Sequence, residues 1–298
     1  MGIKIQKPII YLGSEKTRIS EISNFSKKTI ITKIGSQYIH KENNKNLLDI
    51  ACLVGSKAIK NKIKPKIIIL VSQTQDKIFP SIAEQIAEKL EVDRNTLVFT
   101  LSSGCSGFVQ ALYLANKLLD TVKKSALIIC VEKYSKYIDK NDLKTKVLFS
   151  DAGSATLVEF TKDKNLLSEN FGFDGNNCHS LSVNKKKGKN FLIMDGNKVF
   201  NFGLSNIPQS IKKCSLNFKI DKYIIHPGSK YMLDSIVKKS SISKKKVLNS
   251  FNITGNTVST SIPLIISKYY SKLKKKNIIL LSGFGVGLSW ATILIKWK

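Results

Sequence analysis

Two stretches of this chain repeat one layout at one spacing, and that repeat limits the possible folds more than any other feature. In the first, the continuous apolar run Ile67–Val71 is followed 34 residues after Val71 by Cys105, and 25 residues later by Cys130 in a second apolar run, Ser125–Val131. In the second, Tyr223–Ile225 ends at His226. Asn256 comes 30 residues after His226, and Leu281, closing the run Asn277–Leu281, a further 25 on. Equal spacing between like elements reads as an internal duplication. Short, wholly apolar runs mark strands covered on both faces. The segments between them carry helical periodicity: Leu47, Ile50, Ala51, Val54 and Ala58 share one face, and Ile82, Ile86 and Leu90 share another. Strands alternating with helices define an α/β layered fold.

Each repeat has a turn after its strand. Leu97-Val-Phe99 runs into Ser102-Ser-Gly-Cys105-Ser-Gly107, and an apolar-rich helix is expected from Phe108 to Leu119. Cys105 therefore stands at a helix start, flanked by small residues that let the chain turn sharply. Unpaired N–H groups and the positive dipole end there favour a thiolate and can hold an oxyanion. The competing reading is a buried structural cysteine. In the second repeat Phe251–Asn256 reads as a strand and turn, followed by a helix over Val258–Leu273 with Pro263 near its first turn. If the halves pack about a pseudo-dyad, Cys105 and Asn256 face each other, with His226 at a neighbouring strand end, where active groups of parallel sheets gather. Of the other histidines, His179 reads as surface and His40 shows no partner. The first 45 residues read as one strand and a long loop, residues 161–198 as loops and short strands, and Val199–Cys214 as a helix interrupted or restarted at Pro208.

The 298 residues hold one large domain or two halves, and 42% apolar content suffices for a substantial core. Net charge is +28, from 49 basic against 21 acidic residues, almost all of it lysine, including Lys185–Lys187, Lys244–Lys246 and Lys274–Lys276. Arginine, the usual reader of bases and phosphates, occurs only at Arg18 and Arg94. That composition argues for solvated surface or an acidic partner, and against a nucleic-acid module or a membrane surface. Five cysteines (Cys52, Cys105, Cys130, Cys178, Cys214) without a C-x-x-C pair argue against a disulfide framework and a zinc site. No bound cofactor or metal is expected. A reducing, cytoplasmic location is expected, since no apolar run approaches membrane-spanning length.

A Cys–His–Asn set suits acyl transfer through a thioester. Cys105 would take the acyl group, with an oxyanion held by its own N–H and one from the Gly285–Gly287 loop, at Val286. His226 and Asn256 could each donate to one carbonyl oxygen and stabilise an enolate. These residues carry a resemblance to the β-ketoacyl-acyl-carrier-protein synthase III family of the thiolase-like superfamily. Gly104-Cys-Ser-Gly-Phe108 resembles its nucleophile motif, His226 and Gly255-Asn-Thr257 its histidine and asparagine, and Gly283-Phe-Gly-Val-Gly-Leu288 with Trp290 its closing glycine loop. Phe149-Ser-Asp-Ala-Gly-Ser-Ala155 is similar to its Phe-Gly-Asp-Gly-Ala-Gly-Ala turn. The resemblance implies a five-layer α-β-α-β-α fold from duplicated halves, here residues 1–165 and 166–298. It also implies a homodimer, an acyl-CoA donor, and decarboxylative condensation with malonyl-acyl carrier protein. His226-Pro-Gly-Ser229 replaces the usual His-Gln-Ala-Asn, Lys230 only loosely matches the arginine that docks the carrier, and Thr32–Tyr38 replaces the Thr-Gly-Ile-x-x-Arg signature. These departures point to a specialised acyl-chain pathway. The alternative is an acyltransferase that passes the Cys105 acyl group to an alcohol or amine without condensation.

Overall fold

The computed structural model describes residues 1–298 apart from 61–63, 78, 187 and the side chain of Lys186. The last residue of the Lys185–Lys187 cluster thus lies outside the described residues. Two mixed sheets carry the fold. The first runs Gly2–Ile5, Ala152–Thr161, Ser125–Glu132, Ile67–Val71, Leu97–Leu101, with Ile9–Leu12 also paired to Ala152–Thr161. The second runs Leu166–Phe173, Ser289–Lys296, Ile278–Gly285, Lys222–Ile225. A parallel bridge from Tyr223 to Val247 stands where its fifth strand would be. The pairing senses match position by position: antiparallel at the first two boundaries and parallel at the rest. The two halves are duplicates in topology as well as in spacing.

Strand alternation sorts the side chains into layers. Ile67, Ile69 and Val71 face a central core with Phe108, Leu112 and Ala115, while Ile68 and Leu70 face outward to Leu47, Ile50 and Ile86. In the second sheet Ile279, Leu281 and Ile293 join the central core, and Leu280 and Leu294 face Ile207, Ile211 and Ile236. The central layer therefore holds the helices Gly104–Val122 and Ser261–Tyr269. The outer layers hold Leu47–Ile59 with Ala83–Lys89 on one side, and Gly196–Ser215 with Lys230–Lys239 on the other. This is the five-layer α-β-α-β-α arrangement.

Four local expectations need correcting. Phe251–Thr254 is a short helix, not a strand. Asn249 Oδ1 accepts the Phe251 N–H at 2.8 Å, and Gly255 at φ +62° ends the turn, so a side-chain turn at Asn249 and a glycine stop prevail over apolar content. Leu166–Phe173 is a full edge strand of the second sheet, hidden by its polar composition. Gly196–Ser215 runs through Pro208 without a break; the proline removes one ladder bond but sits on the buried face. The first 45 residues hold three further strands, Ile9–Leu12, Glu15–Arg18 and Tyr38–Lys41.

Candidate active site

The strand Leu97–Leu101 delivers the chain to Gly104, whose φ of +47° opens the central helix and makes Cys105 its second residue. Glycine is required twice here. A Cβ on Gly104 would lie 2.5 Å from Gln73 Oε1 and 2.6 Å from Val286 Cγ1, and one on Gly107 would lie 2.4 Å from Val71 Cγ1. The glycine strand of the other half presses on the same cysteine. A Cβ on Gly285 would come within 3.0 Å of Cys105 Sγ, and one on Gly283 within 2.4 Å of the Cys105 carbonyl oxygen. The residue after Gly285 is Val286, whose side chain rests beside Gly104.

Burial leaves Cys105 only 6% exposed and pushes its thiol pKa well up, with the neighbouring Glu132 carboxyl adding to the rise. Burial thus opposes the thiolate that the helix terminus was expected to favour.

His226 follows the strand Lys222–Ile225, its N–H donating to Ser282 O at 2.8 Å. The ring meets Phe284 edge-on, centroids 5.7 Å apart at 80°. Burial lowers its pKa from 6.5 to about 3, so the imidazole is neutral and keeps one N–H donor. Its Nδ1 has no hydrogen-bond partner among the described residues. Asn256 is held by its backbone, donating to Leu148 O at 2.9 Å and accepting from Ser150 N at 2.8 Å. Its Oδ1 takes the Val258 N–H at 2.9 Å, which leaves Nδ2 only a long 3.4 Å contact with Gly228 O. Val258 itself sits at φ +53°, a strained conformation for a β-branched residue. The Phe149–Ala155 motif thus anchors the asparagine, and Asp151 staples the turn by accepting from Glu42 N and Ser135 N.

Cys105, His226 and Asn256 line one cavity of about 360 Å³, walled by Tyr134, Phe149 and Phe284. The three residues singled out from the sequence therefore meet. His40 does not join them: it is buried with Nδ1 3.2 Å from Gly13 O and its N–H on Ser150 Oγ, a structural placement. His179 is exposed. Gln73, Glu132 and Tyr134 were missed by sequence reasoning. Tyr134 lines the cavity and donates to Gln73 Oε1 at 2.9 Å, and the Gln73 N–H points to Glu132. The one available signal was Glu132 itself, a charge closing a wholly apolar strand at its C-terminal end. No group of His, Cys, Asp and Glu among the described residues could hold a metal ion. Phe200 and Tyr231 stack at 5.1 Å on the helix starts beside Asn197 and Ser229, which also line the cavity. A second cavity, about 350 Å³, is lined by Arg18, Lys27, Phe25, Ile30 and Gln37.

Two like halves facing a buried cysteine, with an imidazole and an amide opposite, define the thiolase-like class of α/β protein. The comparisons carry this further. Residues 99–175 match the model of 3-oxoacyl-[acyl-carrier-protein] synthase III, and residues 217–297 match that of its C-terminal part. The β-ketoacyl-[acyl-carrier-protein] synthase III of Streptococcus agalactiae serotype III (strain NEM316) is 31% identical over 301 aligned positions, covering 93% of each chain. That of Staphylococcus haemolyticus (strain JCSC1435) is 33% identical over 267, covering 85% of this chain and 84% of its own. The solved 3-oxoacyl-[acyl-carrier-protein] synthase III of Aquifex aeolicus VF5 superposes with a TM-score of 0.90 at 26% identity, over 99% of this chain and all of that one. The chain belongs to the β-ketoacyl-acyl-carrier-protein synthase III family.

Proposed function

We propose that this chain takes an acyl group from acyl-CoA onto Cys105 and condenses it with malonyl-acyl carrier protein. The observation that carries the reading is the meeting of Cys105, His226 and Asn256 in one cavity. Sγ attacks the thioester carbonyl, and the N–H groups of Cys105 and Val286 receive the oxyanion. Collapse expels the donor sulfur, which leaves with the proton of the cysteine thiol. The malonyl thioester carbonyl then accepts from His226 and Asn256 Nδ2. Its carboxylate carbon departs as carbon dioxide, the bonding pair staying as an enolate. That carbanion attacks the Cys105 thioester, and the released sulfur takes one proton from solvent. A neutral imidazole suits this role, because it donates to the oxygen without placing a charge in a dry cavity.

Lys198 and Lys230, next to cavity-lining residues, suit an acidic carrier protein. The basic second cavity suits the phosphate-bearing end of CoA. The edge strand Leu97–Leu101, with Leu97 exposed, and the exposed Phe79 and Phe173 suit burial against a second copy in a homodimer. Five free cysteines suit a reducing cytoplasm; no described helix is long and apolar enough to cross a membrane. We place the boundary between the halves at 165/166, immediately before the first residue of the second sheet. The test is purified protein with acyl-CoA and malonyl-acyl carrier protein. Carbon dioxide release with a 3-oxoacyl carrier product is expected, and acyl loss without a new carbon–carbon bond would refute it.

A further inference from the structure

Glu132 is fully buried, closes the strand Ser125–Glu132 beneath the cysteine, and makes no ion pair among the described residues. Burying a carboxyl costs several kcal/mol unless donors surround it. Here the donors come from both halves of the molecule. The Gln73 N–H reaches Oε2 at 3.1 Å and Oε1 at 3.3 Å, the Thr74 hydroxyl reaches Oε2 at 3.0 Å, and the Ser259 hydroxyl reaches Oε1 at 3.3 Å. Two of the three donor residues, Gln73 and Ser259, lead to a reacting group. Gln73 Nε2 donates to Ser102 O at 3.2 Å, and Gln73 Oε1 fills the space left by the missing Gly104 Cβ, so Gln73 braces the turn that carries Cys105. Ser259 follows Val258, whose N–H holds Asn256 Oδ1. Thr74 accepts from Lys133 N at 2.9 Å, tying the same loop back to the residue after Glu132.

We propose that Glu132 is a positioning residue: one buried carboxyl, gripping the Gln73–Thr74 loop of the first half and Ser259 of the second, sets the separation between Cys105 and the Asn256 amide. This rests on the reading of Cys105 and Asn256 given above. The placement makes a particular demand. Acylation needs Cys105 and its oxyanion donors alone, whereas decarboxylation and condensation need Cys105 and Asn256 at the correct separation. Misplacing reacting groups by about 1 Å costs on the order of 100-fold. Glu132 therefore acts on the second half-reaction far more than on the first.

The test uses the full chain as wild type, Glu132→Gln, Ser259→Ala and the double variant. Acylation of Cys105 by acyl-CoA is read as intact mass in single turnover, and condensation as product from preformed acyl-enzyme and malonyl-acyl carrier protein. Glu132→Gln is expected to slow condensation about 100-fold with KM for the malonyl carrier unchanged, and acylation by less than about 3-fold. Ser259→Ala is expected to give a smaller loss of the same kind, and the double variant no more than Glu132→Gln alone. Equal slowing of both half-reactions, additive losses, or condensation at the wild-type rate would overturn the proposal. Glu132→Asp, which keeps the acceptors, is expected to recover part of the lost rate; no recovery in a folded variant also counts against it. Failure of wild-type Cys105 to acylate would instead refute the reading beneath it, so the two failures are distinct.

Discussion

The two halves place a turn at the same point of the same sheet and use it differently. In the first, a five-residue strand enters the Cys105 turn, and a 19-residue helix starts at Gly104. In the second, the strand is reduced to one bridge at Val247. A short helix intervenes, and the central helix starts only at Ser261, after the strained Val258. The first turn brings a side chain and its backbone N–H groups to the cavity. The second spends its extra residues on hooking a side-chain amide so that it faces the first. A duplicated scaffold becomes an asymmetric site because one copy of the turn shortens and the other lengthens.

The sharpest way to test that division is to remove the amide alone. Asn256→Ala should slow condensation by about 10²–10³-fold, as loss of one preorganised donor does, with Cys105 acylation retained. Equal loss of both half-reactions would collapse the distinction between the turns.

The halves also carry buried groups of opposite titration behaviour. His226 has a pKa of about 3 against 6.5 unfolded, so the unfolded chain alone binds a proton between those values. Stability is then lost as pH falls from 6.5 toward 3, by up to about 1.4 kcal/mol per pH unit. Glu132 is raised to about 8 from 4.5, so the folded chain holds a proton the unfolded chain loses. Its contribution is lost as pH rises from 4.5 through 8. Denaturant titrations across pH should show the loss of stability below pH 4.5 shrinking in His226→Gln and the loss between pH 6.5 and 8 shrinking in Glu132→Gln. Slopes unchanged in both variants would mean these groups are not buried as described.

The contact between the halves is open to a packing test. A methyl at Gly283 meets the Cys105 carbonyl oxygen at 2.4 Å, so Gly283→Ala should cost about 1–3 kcal/mol and lower Tm by several degrees. An unchanged Tm would show that the glycine strand does not bear on the nucleophile turn. The smallest effect is expected at the mouth. Tyr231→Ala removes the stack on Phe200 and should raise KM for the malonyl carrier about 3–10-fold with kcat nearly constant.

Much of this was legible in the sequence, for physical reasons. The doubly buried strands announced themselves because both faces must be apolar, and the spacing between them exposed the duplication. Cys105, His226 and Asn256 were legible because each sits at a turn bounded by glycine or proline. Leu166–Phe173 was not, because an edge strand with one polar face lacks the apolar run. Nor was Phe251–Thr254, where the Asn249 side-chain turn and the Gly255 stop decided the conformation. The burial of Cys105 was only one of two readings, because a helix terminus is visible in sequence and burial is not. Gln73 and Glu132 escaped notice because their partners lie 29 to 127 residues away.

The central claim is that Cys105 alone accepts the acyl group. Intact mass of wild type and Cys105→Ala after incubation with a panel of acyl-CoAs tests it most directly. The wild type should gain one acyl mass and the variant none. The same gain in both would contradict the account.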